Sequence, residues 1–199
     1  KSLAEQWRFA YSNVAVGPYN PEETFKAYLE WGELSFPCVL PMVLKTMLAM
    51  NPGLASKYEE ERFYSDIYLK HKEDFDEIIL KKTLTTDEFT DTMRKLLAYD
   101  DEPDGAPVKV PIDRVLSKEM LDTNSEMCQD MMAALRKEDL TSGWTPNAKV
   151  HMYTCSDDEV VPYINSVLLK DFLGDKADVV ISPATSHQKA CTLFFLPKW

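Results

Sequence analysis

Residues 149–187 read KVHMYTCSDDEVVPYINSVLLKDFLGDKADVVISPATSH, and their pattern decides the fold class. Lys149 to Cys155 reads as a strand. Val160-Val161-Pro162 leads into a helix at about 162–173. Ala177 to Ser182 is the next strand, and Gln188 to Leu196 reads as a closing helix. Strand, helix, strand, helix in this order predicts a parallel sheet with right-handed crossovers. In open sheets of this kind, ligands bind beyond the carboxyl ends of the strands. Two loops fall there, Ser156-Asp157-Asp158-Glu159 and Ala184-Thr185-Ser186-His187.

Upstream, Arg8 to Val16 reads as a further strand that ends at Gly17-Pro18. Its consecutive apolar places predict burial on both faces. Between this strand and the tail, the pattern is helical. Asn20 is placed to cap a helix, with Pro21 at its first position and Glu22 and Glu23 in its first turn. Phe25, Tyr28 and Leu29 follow at the spacing of one helical face. Further helices are predicted at about 36–50, 55–71, 74–82, 86–99 and 124–138. Thr85 and Glu88 form a capping box for the fourth of these. The predicted plan is an α/β chain in three parts: a core strand in 1–21, a helical insertion over 22–143, and a βαβα tail over 144–199.

Composition narrows the function. The 199 residues are 45% hydrophobic and 28% charged, enough for a core without staples. Acidic residues outnumber basic ones, 33 to 22, and a net charge of −11 argues against nucleic acid as a partner. Residues 56–104 hold 15 acidic and 8 basic side chains, which read as a solvated helical face; no carboxylates converge at a cation-binding spacing. Cys38, Cys128, Cys155 and Cys191 form no metal-binding spacing and read as buried free thiols. Six glycines leave little room for a phosphate-cradling loop, which disfavours a nucleotide binder. No metal or cofactor is expected. The longest apolar stretch, Phe36 to Met50, holds two prolines and Lys45. It is shorter than the roughly 20 residues a membrane span needs, so no transmembrane segment is expected. Lys1 to Trp7 has neither an initiator Met nor an apolar core. No signal peptide is read there, and the chain is expected to begin in mid-stream.

An acid and a histidine on neighbouring strand ends can meet. The carboxylate then fixes the imidazole tautomer and stabilises the imidazolium. Asp158-Glu159-Val160-Val161-Pro162-Tyr163 resembles the D-x-x-V-P segment of the α/β-hydrolase superfamily, which follows the seventh strand and bears the catalytic acid. Thr185-Ser186-His187 resembles that family's catalytic-histidine loop. Gly17-Pro18-Tyr19-Asn20-Pro21 resembles the end of the sixth strand in secretory-lipase-like esterases, where the insertion that follows is a helical lid. Trp144-Thr145-Pro146 and Thr192-Leu193-Phe194-Phe195 also look like bacterial members of that group. The resemblance implies the C-terminal half of a lipase or esterase, about three parallel strands with a large lid, with Asp158 as the acid and His187 as the base. It further implies a small-molecule ester or lipid substrate, a partner in the N-terminal half of the same fold, and a secreted or periplasmic location.

The spacing to Val161-Pro162 favours Asp158 over Asp157 and Glu159 as the acid, leaving Asp157 as a turn or capping residue. His151, inside a strand, and His71, on a charged helix, read as structural or surface groups. Cys155 and Cys191 read as buried thiols rather than nucleophiles. Met127, Met131 and Met132 read as helix packing. Met42, Met47 and Met50 read the same way, with an acyl-chain pocket as the alternative.

One family feature is absent. The nucleophile elbow is G-x-S-x-G, and the glycines here stand at 17, 32, 53, 105, 143 and 174, no two of them four apart. In the family the elbow lies upstream of the sixth strand. The expected function is therefore that of a serine-hydrolase fragment, carboxylesterase- or lipase-like, which supplies the acid and the histidine and is inactive alone. The alternatives are a complete small hydrolase with another nucleophile, or a non-catalytic helical binding module whose acidic surface meets a basic partner. A three-stranded sheet with a bare edge beside residues 9–16 also predicts self-association of the isolated chain.

Overall fold

The structure is a computed structural model and describes residues 11–97, 109–182, 186, 187, 189 and 190. In chain order its elements are β1 (Tyr11–Ala15), α1 (Pro21–Trp31), β2 (Glu33–Leu34), α2 (Val39–Met50), α3 (Pro52–Lys57), α4 (Asp66–Leu69), α5 (Lys72–Lys81) and α6 (Thr86–Leu97). There follow β3 (Val110–Pro111), α7 (Lys118–Leu121), α8 (Glu126–Arg136), β4 (Lys149–Cys155), α9 (Ile164–Leu173) and β5 (Ala177–Ser182). The chain divides into two compact units, one of Lys1–Thr24 with Glu138–Trp199 and one of Phe25–Lys137.

The first unit is built on a parallel sheet of order β1-β4-β5, as the α/β pattern predicts. Val14 stands beside Met152 and Met152 beside Val179. Alternation along β4 buries Val150, Met152 and Thr154 and exposes Lys149. Val150 and Met152 pack with Leu169 and Leu173 of α9, with Ala177 and with Tyr19. Within β1, Val14 and Ala15 are half-buried rather than enclosed on both faces. Val14 joins the cluster under α9, whereas Ala15 meets the small cluster of Val16, Cys155 and Ala190.

β1 ends one residue earlier than predicted. Val16 takes a φ of +38°, a left-handed conformation that a β-branched residue resists and a strand cannot continue through. Its N–H still reaches the Tyr153 carbonyl at 2.9 Å. The chain then folds so tightly that the Tyr19 ring lies over Gly17; a Cβ there would sit 2.6 Å from Tyr19 Cε1. Arg8 to Ala10, the rest of the predicted strand, lie outside the described residues.

A buried polar network ties the chain before and after the second unit to α9. Asn20 caps α1 as predicted, its Oδ1 accepting the Glu23 N–H at 3.0 Å. Its Nδ2 donates to Asp139 Oδ1 and Thr141 Oγ1 at 3.3 Å each. Its main-chain N–H donates to Asn165 Oδ1 at 2.7 Å. Asn165, fully buried, donates in turn to Thr24 Oγ1 at 2.9 Å and to the Pro162 carbonyl at 3.2 Å. Every polar arm of Asn165 is thus used, which is what makes an amide tolerable at that depth.

The second unit is helical around its own core, with Phe63, Tyr68, Phe75, Met93, Leu97 and Met120 at its centre. Thr85 and Glu88 cap α6 reciprocally, as read from sequence: Thr85 N–H donates to Glu88 Oε2 at 2.8 Å and Glu88 N–H to Thr85 Oγ1 at 3.3 Å. The helix predicted over 55–71 does not form. α3 stops at Lys57, Tyr58 is extended, Glu60–Phe63 form one 3₁₀ turn, and α4 begins only after Ser65, whose side chain caps it. Phe63, Tyr64 and Tyr68 are all buried there. The chain breaks there and pairs with the segment near Val115, Ser65 N–H donating to the Val115 carbonyl and Ser117 N–H to that of Phe63, both at 3.0 Å.

The helix predicted from Phe36 starts at Val39. Met127, Met131, Met132 and Met47 are core residues, whereas Met42 and Met50 are 45% and 55% exposed. Cys38, Cys128 and Cys155 are buried; Cys191 and most of the predicted closing helix lie outside the described residues. Among the described residues, no helix is long and apolar enough to cross a membrane.

Candidate active site

Parallel strands bring their carboxyl ends to one edge of the sheet. The loop after β4 turns sharply because Asp158 binds its own downstream backbone. Asp158 Oδ1 accepts the N–H of Val160 at 2.9 Å and of Val161 at 2.7 Å. This self-closure fixes the carboxylate before any partner is considered. Pro162 then carries the chain toward α9, one turn ahead of Asn165.

His187 lies five residues beyond the end of β5 and comes back to this carboxylate. Its Nδ1 is 2.9 Å from Asp158 Oδ2 and 3.1 Å from Oδ1. The Asp158 side chain is 1% exposed and that of His187 24%. A carboxylate can only accept, so the proton in this contact belongs to Nδ1, and Nε2 is the basic nitrogen of the neutral ring. The hydrogen bond to Asp158 raises the His187 pKa above its ordinary value. Burial opposes the rise, and the charges of Asp158 and Glu159 add to it.

The two residues singled out from sequence are therefore in direct contact. Of the rival acids, Asp157 is an exposed turn residue. Glu159 has a part the sequence did not reveal: its Oε2 accepts the main-chain N–H of His187 at 2.9 Å. The signal available for it was only its position next to Asp158. Ser186 caps the turn that carries the histidine, its Oγ accepting the Lys189 N–H at 3.3 Å and its carbonyl the Ala190 N–H at 2.9 Å. Thr185 lies outside the described residues.

Cys155, at the end of β4, is fully buried, and burial raises its pKa, so the thiol stays protonated near neutrality. His151 sits 3.5 Å from Asp178 Oδ2 on β5, and His71 packs its ring 5.9 Å from that of Phe75 in the second unit. Met50 borders an open cleft of about 600 Å³ in the second unit, which also includes Leu54, Ala134 and the ion pair of Lys57 with Asp130.

No protein-family model matches the sequence, and no curated protein matches it. Solved structures do. The rice cell wall degrading esterase LipA from Xanthomonas oryzae superposes with a TM-score of 0.59 at 17% identity, covering 96% of this chain and 48% of that chain. A ligand-bound form of the same esterase gives a TM-score of 0.59 at 16% identity, over 95% of this chain and 46% of that one. The chain spans about half the length of the structures it matches. At these identities the likeness is one of fold, and over the residues given this chain has the α/β-hydrolase fold in its C-terminal part.

Proposed function

We propose that this chain supplies the acid and the base of a serine ester hydrolase, with Asp158 as the orienting acid and His187 as the general base. One observation carries this reading: a carboxylate and an imidazole meet at 2.9 Å at the carboxyl ends of two neighbouring parallel strands. In the proposed reaction a serine hydroxyl attacks an ester carbonyl and His187 Nε2 takes its proton. The proton passes to the leaving alkoxide, and His187 then activates the water that cleaves the acyl-enzyme. Asp158 holds Nδ1 protonated and stabilises the imidazolium without itself taking a proton. The serine and the oxyanion donors come from polypeptide outside these 199 residues, since no G-x-S-x-G stands within them. The helical unit Phe25–Lys137 serves as the lid of that enzyme; its insertion between β1 and β4 and its separate core support the role. The substrate is an ester, the class to which the name of the matching esterase points.

The test is intact-mass spectrometry after exposure to a fluorophosphonate probe, applied to the 199-residue chain and to the natural polypeptide that contains it. An adduct is expected on the natural polypeptide and is expected to vanish with His187→Ala. The 199-residue chain is expected to remain at 22.8 kDa. Labelling of the 199-residue chain itself, or labelling of the natural polypeptide that survives His187→Ala, overturns the proposal.

A further inference from the structure

We propose that Glu159 is a second positioning carboxylate of this site, anchoring the main chain of His187 while Asp158 anchors its ring. The inference rests on the acid and base roles proposed above. Two adjacent acidic residues grip one histidine at two points, Asp158 at Nδ1 and Glu159 at the backbone N–H, each at 2.9 Å.

The need for the second grip follows from the local backbone. His187 stands in the first turn of a helix that Ser186 caps. N–H groups in a first turn have no intrahelical acceptor. The Ser186 side chain serves Lys189, so the His187 N–H needs an acceptor from elsewhere. Glu159 provides one from the facing loop, as a charge-assisted bond and with the sign of charge a helix N-terminus favours. A general base must hold its proton-accepting nitrogen within a fraction of an ångström of the productive position. Fixing both Cα and Nδ1 sets the line along which Nε2 points; fixing Nδ1 alone leaves the ring free to swing about it. Asp158 is already occupied: its Oδ1 accepts from Val160 and Val161, and both of its oxygens face His187 Nδ1. The second carboxylate also places another negative charge beside the imidazolium that forms during proton transfer.

The experiment is NMR of the natural polypeptide that contains these residues, reading the titration of the His187 ring and hydrogen exchange of its amide. His187→Gln assigns the ring signal by its loss. Glu159→Gln keeps an oxygen acceptor but loses the charge. It is expected to lower the His187 titration midpoint and leave the amide protected. Glu159→Ala loses both functions and is expected to lower the midpoint and speed amide exchange by about tenfold or more. A role in folding alone would leave the midpoint of the soluble Glu159→Gln variant where it is in the parent chain. An unchanged midpoint in Glu159→Gln, or unchanged amide exchange in Glu159→Ala, overturns the inference. Asp158→Asn separates the two levels. If it leaves the His187 midpoint unmoved, the acid–base pair itself falls; if it lowers the midpoint and the Glu159 variants do nothing, only the role of Glu159 falls.

Discussion

Asp158 presents both carboxylate oxygens to His187 Nδ1, at 2.9 and 3.1 Å, while the same Oδ1 closes the loop that holds it. The residue therefore does two separable things: it shapes its own loop, and it dictates which nitrogen of His187 carries the proton.

Asp158→Asn separates them. The amide oxygen still accepts from Val160 and Val161, so stability changes little. The amide nitrogen is a donor and favours the tautomer with Nδ1 unprotonated, which is wrong for catalysis. On the proposed roles, kcat for ester hydrolysis by the natural polypeptide is expected to fall by about 10⁴-fold. Asp158→Ala removes both functions and is expected to cost about 1–3 kcal/mol, since the half-buried N–H groups of Val160 and Val161 lose this acceptor. Urea unfolding and ester-hydrolysis kinetics on the two variants check this.

Stability should depend on pH through His187. Its folded pKa lies above the ordinary value of 6.5, chiefly through the hydrogen bond to Asp158. A raised pKa means that folding favours the protonated ring. This contribution is fully present below about pH 6.5 and is lost as pH rises through the folded value. Urea midpoints are expected to fall between pH 6 and pH 8 by more in the parent chain than in Asp158→Asn. Equal pH dependence in the two would show that the pair contributes nothing.

Asn165 is expected to be a costly residue to truncate. It is fully buried, receives the Asn20 N–H, and donates to Thr24 and Pro162. Asn165→Leu fills the space but leaves these groups unpaired, and is expected to destabilise by about 2–4 kcal/mol. Thermal melting of the variant tests this. A loss under 0.5 kcal/mol, the scale of a neutral surface change, would mean that water replaces the network at no cost.

The sequence made β4, β5 and the Asp158–His187 pair legible for one reason. Short apolar runs bounded by turn residues locate strand ends, and strand ends locate loops. The Asn20 cap and the Thr85–Glu88 box were readable because capping depends on neighbours three residues apart. The break at Tyr58 was not, because it goes with backbone pairing of Phe63 and Ser65 to a segment about fifty residues away, near Val115. Nor was the left-handed Val16, which residue preference argues against. Glu159 could be weighed only as a rival of Asp158. Its actual partner is a backbone N–H, and no residue type marks a backbone donor in a sequence.

Gly17 is required for space. A methyl group there would lie 2.6 Å from Tyr19 Cε1 and 2.8 Å from Cζ, so the ring would have to leave the cluster it shares with Val150 and Leu169. Gly17→Ala is expected to destabilise by about 1–3 kcal/mol. Combining it with Tyr19→Ala is expected to add little to the cost of Tyr19→Ala alone, because the clash is then gone. A double-mutant cycle in urea gives the coupling directly, and full additivity would refute the steric account.

The sheet itself predicts how the isolated chain behaves. Among the described residues, β1 pairs only with β4 and β5 only with β4. Each outer strand therefore has one side that no other strand pairs among the described residues, and β5 adds Val180 and Ile181, 47% and 55% exposed. Such edges recruit other strands, the commonest being those of a second copy. Light scattering on the 199-residue chain is expected to show concentration-dependent association at micromolar levels. Ile181→Lys, which puts a charge on the β5 edge without touching the buried residues of β4, is expected to reduce it. A clean monomer in the parent chain would mean that both edges are covered, and would count against the proposal that more of the sheet lies in polypeptide outside these residues.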